Sequence, residues 1–100
     1  MLVLPIKKEW YDLILSGEKK EEYREIKPYY FSRLHSAGLL DHYGLPVKNN
    51  DAWVMFRNGY SKDSPNFVAR VTADIKTGRT EWGAEAGKNY YVLKILEIRL

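Results

Sequence analysis

The residues whose types and spacing could do chemistry gather in one short run, Gly17-x-Lys19-x-x-Glu22-x-Arg24. Lys19 offers a mobile point charge, suited to a phosphate or to activating a neighbour. Arg24 offers a planar fork for a phosphate or a base edge. On an extended chain Glu22 and Arg24 share a face. There the carboxylate can fix the guanidinium or accept hydrogen bonds from a ligand's amino group. In a dry cleft Lys19 and Glu22 could also work as acid and base. Around this run stand tyrosines that can stack on bases, Tyr29, Tyr30 and Tyr60. Arg57 and Asn58 lie where a strand meets a loop, a place that often carries binding groups.

The elements that must position these groups follow from periodicity. Leu2 to Ile6 reads as a short strand, and Lys7 to Ser16 as a helix with Trp10, Leu13 and Ile14 on one face. Gly17 can take the left-handed conformation that ends it. The next eight residues, Glu18 to Glu25, hold seven charges. As a helix they would stack Glu18 on Glu22, Lys20 on Arg24 and Glu21 on Glu25, three like-charged pairs. A strand from about Lys19 to Ile26 avoids all three. With few apolar side chains to bury, it is either a solvated edge or one wall of a polar cleft.

Pro28 opens a short helix to His35, and Ala37 to Asn50 reads as irregular loop. Strands are expected over Asp51–Arg57, Phe67–Ile75 and Tyr90–Ile98. Phe67, Ala69, Val71 and Ala73 fall on one strand face, and Trp53, Phe56 and Phe67 are expected in the core with Trp10. A turn-rich loop spans Asn58–Pro65, and Gly78–Lys88 is a loop containing Trp82. The expectation is a single domain over residues 1–100, of α+β class: a small barrel of about five strands with two helices in its N-terminal half.

Composition narrows the chemistry. Apolar types make up 45% of the 100 residues, enough for one core, and charged types 29%, ordinary for a folded protein. The net charge is +3, spread evenly, with 8 basic and 7 acidic side chains in residues 1–50 and 8 and 6 in residues 51–100. Any phosphate-binding surface must therefore be assembled by folding. Without cysteine there are no disulfides, thiolate metal sites or cysteine nucleophiles, which favours a cytoplasmic home. The apolar start is too short for a signal peptide or a membrane span. His35 and His42 lack carboxylates at a ligand spacing, so neither a metal nor a cofactor is expected.

The Gly-x-Lys-x-x-Glu-x-Arg run resembles the signature of the ASCH domain family, a branch of the PUA-like superfamily. The flanks are similar too: a helix with Trp10-Tyr11-Asp12 ends at Gly17, and Pro28-Tyr29-Tyr30 follows the charged strand. The specific part of the likeness covers residues 7–30, and the later strands fit the family's barrel. The resemblance implies a PUA-like β-barrel with a cleft beside the motif, binding RNA or a nucleoside or nucleotide. It also implies possible hydrolysis, since one branch deacylates N4-acylated cytidine and other members cleave RNA. That branch uses a lysine matching Lys19 and a threonine nucleophile where this chain has Glu22.

Three readings stand side by side. The first is an RNA- or nucleoside-binding module using Lys19, Glu22 and Arg24, with Tyr30, Arg57 and Asn58 as further contacts. The second is a hydrolase with Lys19 and Glu22 as acid–base partners. The third is an interaction domain without ligand, whose charged strand is a soluble edge.

Overall fold

A computed structural model describes residues 1–100. The order is β1 (Leu2–Pro5), α1 (Lys8–Leu15), β2 (Glu21–Arg24), α2 (Pro28–Ser36), β3 (Ala52–Arg57), β4 (Asn66–Thr77) and β5 (Asn89–Arg99), with a short 3-10 turn at Thr80–Trp82 before β5. The five strands form one mixed sheet in the order β1-β3-β4-β5-β2, with β1 parallel to β3 and the remaining pairs antiparallel. This is the expected α+β class, with the sheet curled into a half-barrel.

The curl has a local cause. Between Arg70 and Val71 the register of β4 against β5 shifts, and an irregularity of this kind bends a strand and raises its twist. The two long strands thus wrap around a core that includes Val54, Phe56, Phe67, Val71 and Leu93. Both helices pack on it, through Ile14 and Leu34, each 0% exposed. Burying such side chains contributes about 1.5–3 kcal/mol apiece.

Because the sheet is half a barrel, β1 and β2 remain edge strands. The end of β1 is tied by side chains rather than by a further strand. The carbonyl of Pro5 accepts from Arg24 Nη2 at 3.0 Å, and the carbonyl of Ile6 accepts from Asn58 Nδ2 at 3.0 Å. An unpaired buried carbonyl costs about as much as a lost hydrogen bond, so the seam between the two edges is stabilised by residues of the motif and of the β3–β4 loop.

Two expectations about elements need correction. The charged strand is shorter than Lys19–Ile26, spanning only Glu21–Arg24. Gly17, at φ +86°, ends α1, and the Lys19 N–H then donates to the Leu13 carbonyl at 2.9 Å. The chain folds back over the last turn of the helix and Lys19 turns inward before the strand begins. Trp53 is half-buried rather than core, with the Arg99 guanidinium 4.5 Å from its ring centre. Strand parity explains this: Val54 and Phe56 take the inner face, which leaves Trp53, Met55 and Arg57 on the other.

No Cβ clash stands in the way at Gly17, where only the left-handed backbone resists substitution. Gly17→Ala is therefore expected to cost about 1 kcal/mol. Gly83 is different, since a Cβ there would lie 2.9 Å from the Trp10 ring at φ +99°. Gly83→Ala should cost about 2 kcal/mol, adding overpacking to strain. Urea unfolding of both variants checks the difference, and equal losses would contradict the contact with Trp10.

Candidate functional site

Three motif side chains converge at the seam. Lys19 Nζ donates to the carbonyl of Trp82 and lies 3.3 Å from Glu22 Oε1, while Glu22 Oε2 accepts from Arg24 Nη2 at 3.0 Å. The lysine side chain is 0% exposed, that of Glu22 8% and that of Arg24 10%. The strand is an edge, as its charge pattern suggests, but its motif residues are not solvated. They form a desolvated cation–carboxylate–cation chain, in which loss of the central Glu22 leaves two buried cations uncompensated.

Lys19 is fully engaged. Besides Glu22 and the Trp82 carbonyl, its ammonium sits 4.9 Å from the Trp10 ring centre and 4.7 Å from that of Tyr23. Cation–π contact of this kind favours a desolvated ammonium. Burial nevertheless pushes its pKa below the ordinary lysine value, opposed by the neighbouring Glu22. Lys19 does not line the cleft beside it; Glu22 and Arg24 do.

Arg24 is only partly satisfied. Both of its hydrogen bonds leave from Nη2, and Nε is buried with no partner. Most buried polar atoms in folded proteins are paired. Nε is closed off from the cleft, so the donors left for a ligand are those of Nη1, which makes no hydrogen bond.

The cleft holds about 670 Å³ between the edges of β1 and β2, the Asn58–Tyr60 loop and the turn carrying Trp82. That volume suits a small organic ligand. Its floor carries Glu22 and Arg24, and its walls include Trp10, Tyr30, Tyr60 and Trp82. Tyr60 is 89% exposed, so one wall is a free aromatic flap. Tyr30 stands between two cations, with Arg24 at 5.7 Å and Lys27 at 5.6 Å from its ring centre. Four cations (Lys7, Arg24, Lys27, Lys88) face three carboxylates (Glu22, Glu25, Glu85). Ligands with both donors and acceptors fit this mixture better than a bare polyanion.

Among the residues singled out from sequence, Glu22, Arg24, Tyr30, Asn58 and Tyr60 meet at the cleft, and Tyr29 does not. Lys19 sits behind it, and Arg57 does not line it. The Arg57 Nη2 lies 3.5 Å from Met55 Sδ and its Nε is buried without a partner. Trp82 was not foreseen as a site residue, and Trp10, expected in the core, borders the cleft while capping Lys19. Only the charged, glycine-flanked stretch around Trp82 could have marked it, since the contact that places it spans 63 positions. No group of three or more His, Asp or Glu side chains is placed to hold a metal, and no helix is long and apolar enough to cross a membrane.

Tyr23 links the site to the turn beyond β4. Its hydroxyl donates to Glu21 Oε1 at 2.9 Å and accepts from the Arg79 N–H at 3.0 Å. Burial is the main reason its pKa is pushed up to about 12 from 10.0. A group raised on folding stabilises fully below its unfolded value and loses that contribution as pH climbs through the folded one. Stability should therefore fall between about pH 10 and about pH 12, and Tyr23→Phe should flatten that part of the profile. Denaturant midpoints across this range provide the check; an unchanged slope in the variant would refute the assignment.

Comparison of the chain with protein-family models, with curated proteins and with solved structures returns no match in any of the three.

Proposed function

We propose that this chain is an ASCH-type, PUA-like domain that binds RNA, or a nucleoside or nucleotide, in the seam cleft. The observation that carries the reading is the Glu22–Arg24 pair on the cleft floor, desolvated and hydrogen-bonded at 3.0 Å, with Nη1 of the guanidinium free of any hydrogen bond. Oε1 and Oε2 of Glu22 are each committed once, and a carboxylate has about four lone-pair sites. The remaining acceptor capacity suits the exocyclic amino group of a base, as carboxylates accept from cytosine N4. Arg24 complements it with donors for a carbonyl or ring nitrogen. Trp10, Tyr30, Tyr60 and Trp82 supply aromatic surface for the base. Lys19 acts as a positioning residue, holding the carboxylate from behind. The absence of cysteine is consistent with work in the cytoplasm.

Two of the three tryptophans border the cleft, whereas Trp53 lies on the far face of β3. A base entering the cleft should quench tryptophan fluorescence. Titration with cytidine and with a short single-stranded RNA is expected to give saturable quenching that Trp53→Phe leaves in place. Quenching that Trp53→Phe removes, or none with either ligand, would refute the reading.

The hydrolase alternative keeps one supporting observation, a buried lysine of lowered pKa beside a carboxylate. It requires N4-acetylcytidine to be turned over to cytidine and acetate, and Lys19→Ala to abolish this. Binding without turnover leaves the cleft as a recognition site.

A further inference from the structure

A second hollow of about 530 Å³ opens between β1 and the first turns of α2. It shares Pro5, Arg24, Lys27, Tyr30 and Tyr60 with the seam cleft, so the two make one groove that passes Arg24 and Tyr30. Their charges differ. Three carboxylates border the cleft, but the charged residues of the hollow are Arg24, Lys27 and Arg33, all cationic.

Two independent features point to an anion in the hollow. The first turn of α2 has no acidic residue, and Lys27 at its N-cap makes no side-chain capping bond. Pro28 has no N–H and the Tyr30 N–H donates to the Lys27 carbonyl, so the turn offers the Tyr29 N–H and the positive end of the helix dipole, with no carboxylate of its own against them. Arg24, nine-tenths buried, borders the hollow as well as the cleft, and its Nη1 makes no hydrogen bond. Aromatic surface lies beside these charges. The Arg33 guanidinium covers Tyr29 at 3.5 Å, and Tyr29 meets Tyr30 edge to face at 5.0 Å. A cationic track with adjoining rings is what a single-stranded nucleic acid needs, the track for its phosphates and the rings for its bases.

We infer that the hollow takes the phosphodiester and adjoining nucleotide of a single-stranded RNA whose base occupies the seam cleft, making the ligand a strand rather than a free nucleoside. This rests on the cleft reading above and extends it by a second subsite. The division of charge sets the division of labour: the carboxylate-bearing cleft reads a base, and the all-cationic hollow holds the backbone.

The test compares cytidine, cytidine 5′-monophosphate and the dinucleotide cytidylyl-cytidine by amide-shift titration of the wild-type chain, Arg33→Ala and Lys27→Ala. Cytidylyl-cytidine should bind at least about tenfold tighter than cytidine. Its shifts should extend from residues 21–25 into 27–33. From about 50 mM to about 200 mM salt its affinity should fall roughly threefold per phosphate neutralised, while that of cytidine holds. Arg33→Ala should erase most of the gain and leave cytidine binding in place. Cytidine and cytidylyl-cytidine binding equally, or a gain untouched by both variants, would overturn the inference and leave the cleft reading standing. A gain already complete with cytidine 5′-monophosphate would place a terminal phosphate in the hollow and overturn the continuing strand. Failure of all three ligands to shift residues 21–25 would overturn the cleft reading itself.

Discussion

Glu22→Ala is expected to cost about 3–5 kcal/mol of stability, the scale for breaking a buried ion pair and leaving the partner charge uncompensated. Two partners are at stake here. Lys19, 0% exposed at its side chain, would keep only the Trp82 carbonyl and two ring faces, and Arg24 only the Pro5 carbonyl and the Tyr30 ring. A domain of this size is stable by roughly 5–15 kcal/mol in all, so the variant should unfold at far lower urea or lie near its midpoint without denaturant. Lys19→Met should cost less, because it removes a buried charge along with its donors and leaves Glu22 paired to Arg24. A loss below about 0.5 kcal/mol for Glu22→Ala, the figure for an ordinary surface change, would mean that the charged strand is solvated after all. A ligand-free domain with a merely soluble edge would require that outcome.

Arg24→Lys should retain the fold and lose the ligand. Lysine keeps one charge but lacks a fork, so it cannot bond the Pro5 carbonyl and Glu22 while also presenting donors to the cleft. Loss of a charge-assisted hydrogen bond is worth about 1.5–3 kcal/mol, or roughly 10- to 150-fold in Kd. Calorimetric titration with cytidylyl-cytidine gives the ratio directly, and circular dichroism verifies the fold. An affinity within about twofold of wild type would remove Arg24 from the recognition site.

Much of this architecture could be read from residue order because the relevant forces were local. Like-charged i,i+4 pairs excluded a helix from Glu18 to Glu25, and Gly17 supplied the break before it. The alternation of Phe67, Ala69 and Val71 correctly gave the inner face of β4, where all three are buried. The same alternation shows why Trp53 and Phe56 could not both be core: three positions apart on a strand, they face opposite sides. Hydrophobicity pulled the expectation one way and geometry settled it the other.

The site was legible only in part, for a physical reason. Glu22 and Arg24 share a face by sequence spacing alone, and they do bond each other. The burial of Lys19 depends on Trp82 and Trp10, which reach it from distant parts of the chain. The length of the charged strand depended on the same contact, since turning Lys19 inward takes it out of the sheet. Arg57 was placed at the right strand end but on the face opposite the core, a distinction of one residue in register.

The most direct measurement is an amide-shift titration of the whole chain with cytidine, N4-acetylcytidine and a short single-stranded RNA, run in parallel on Arg24→Lys. Saturable shifts centred on residues 21–25, Asn58 and Trp82, lost in the variant, are the expected result. Shifts that arise elsewhere, or that persist undiminished in Arg24→Lys, would contradict the assignment of the seam cleft as the binding site.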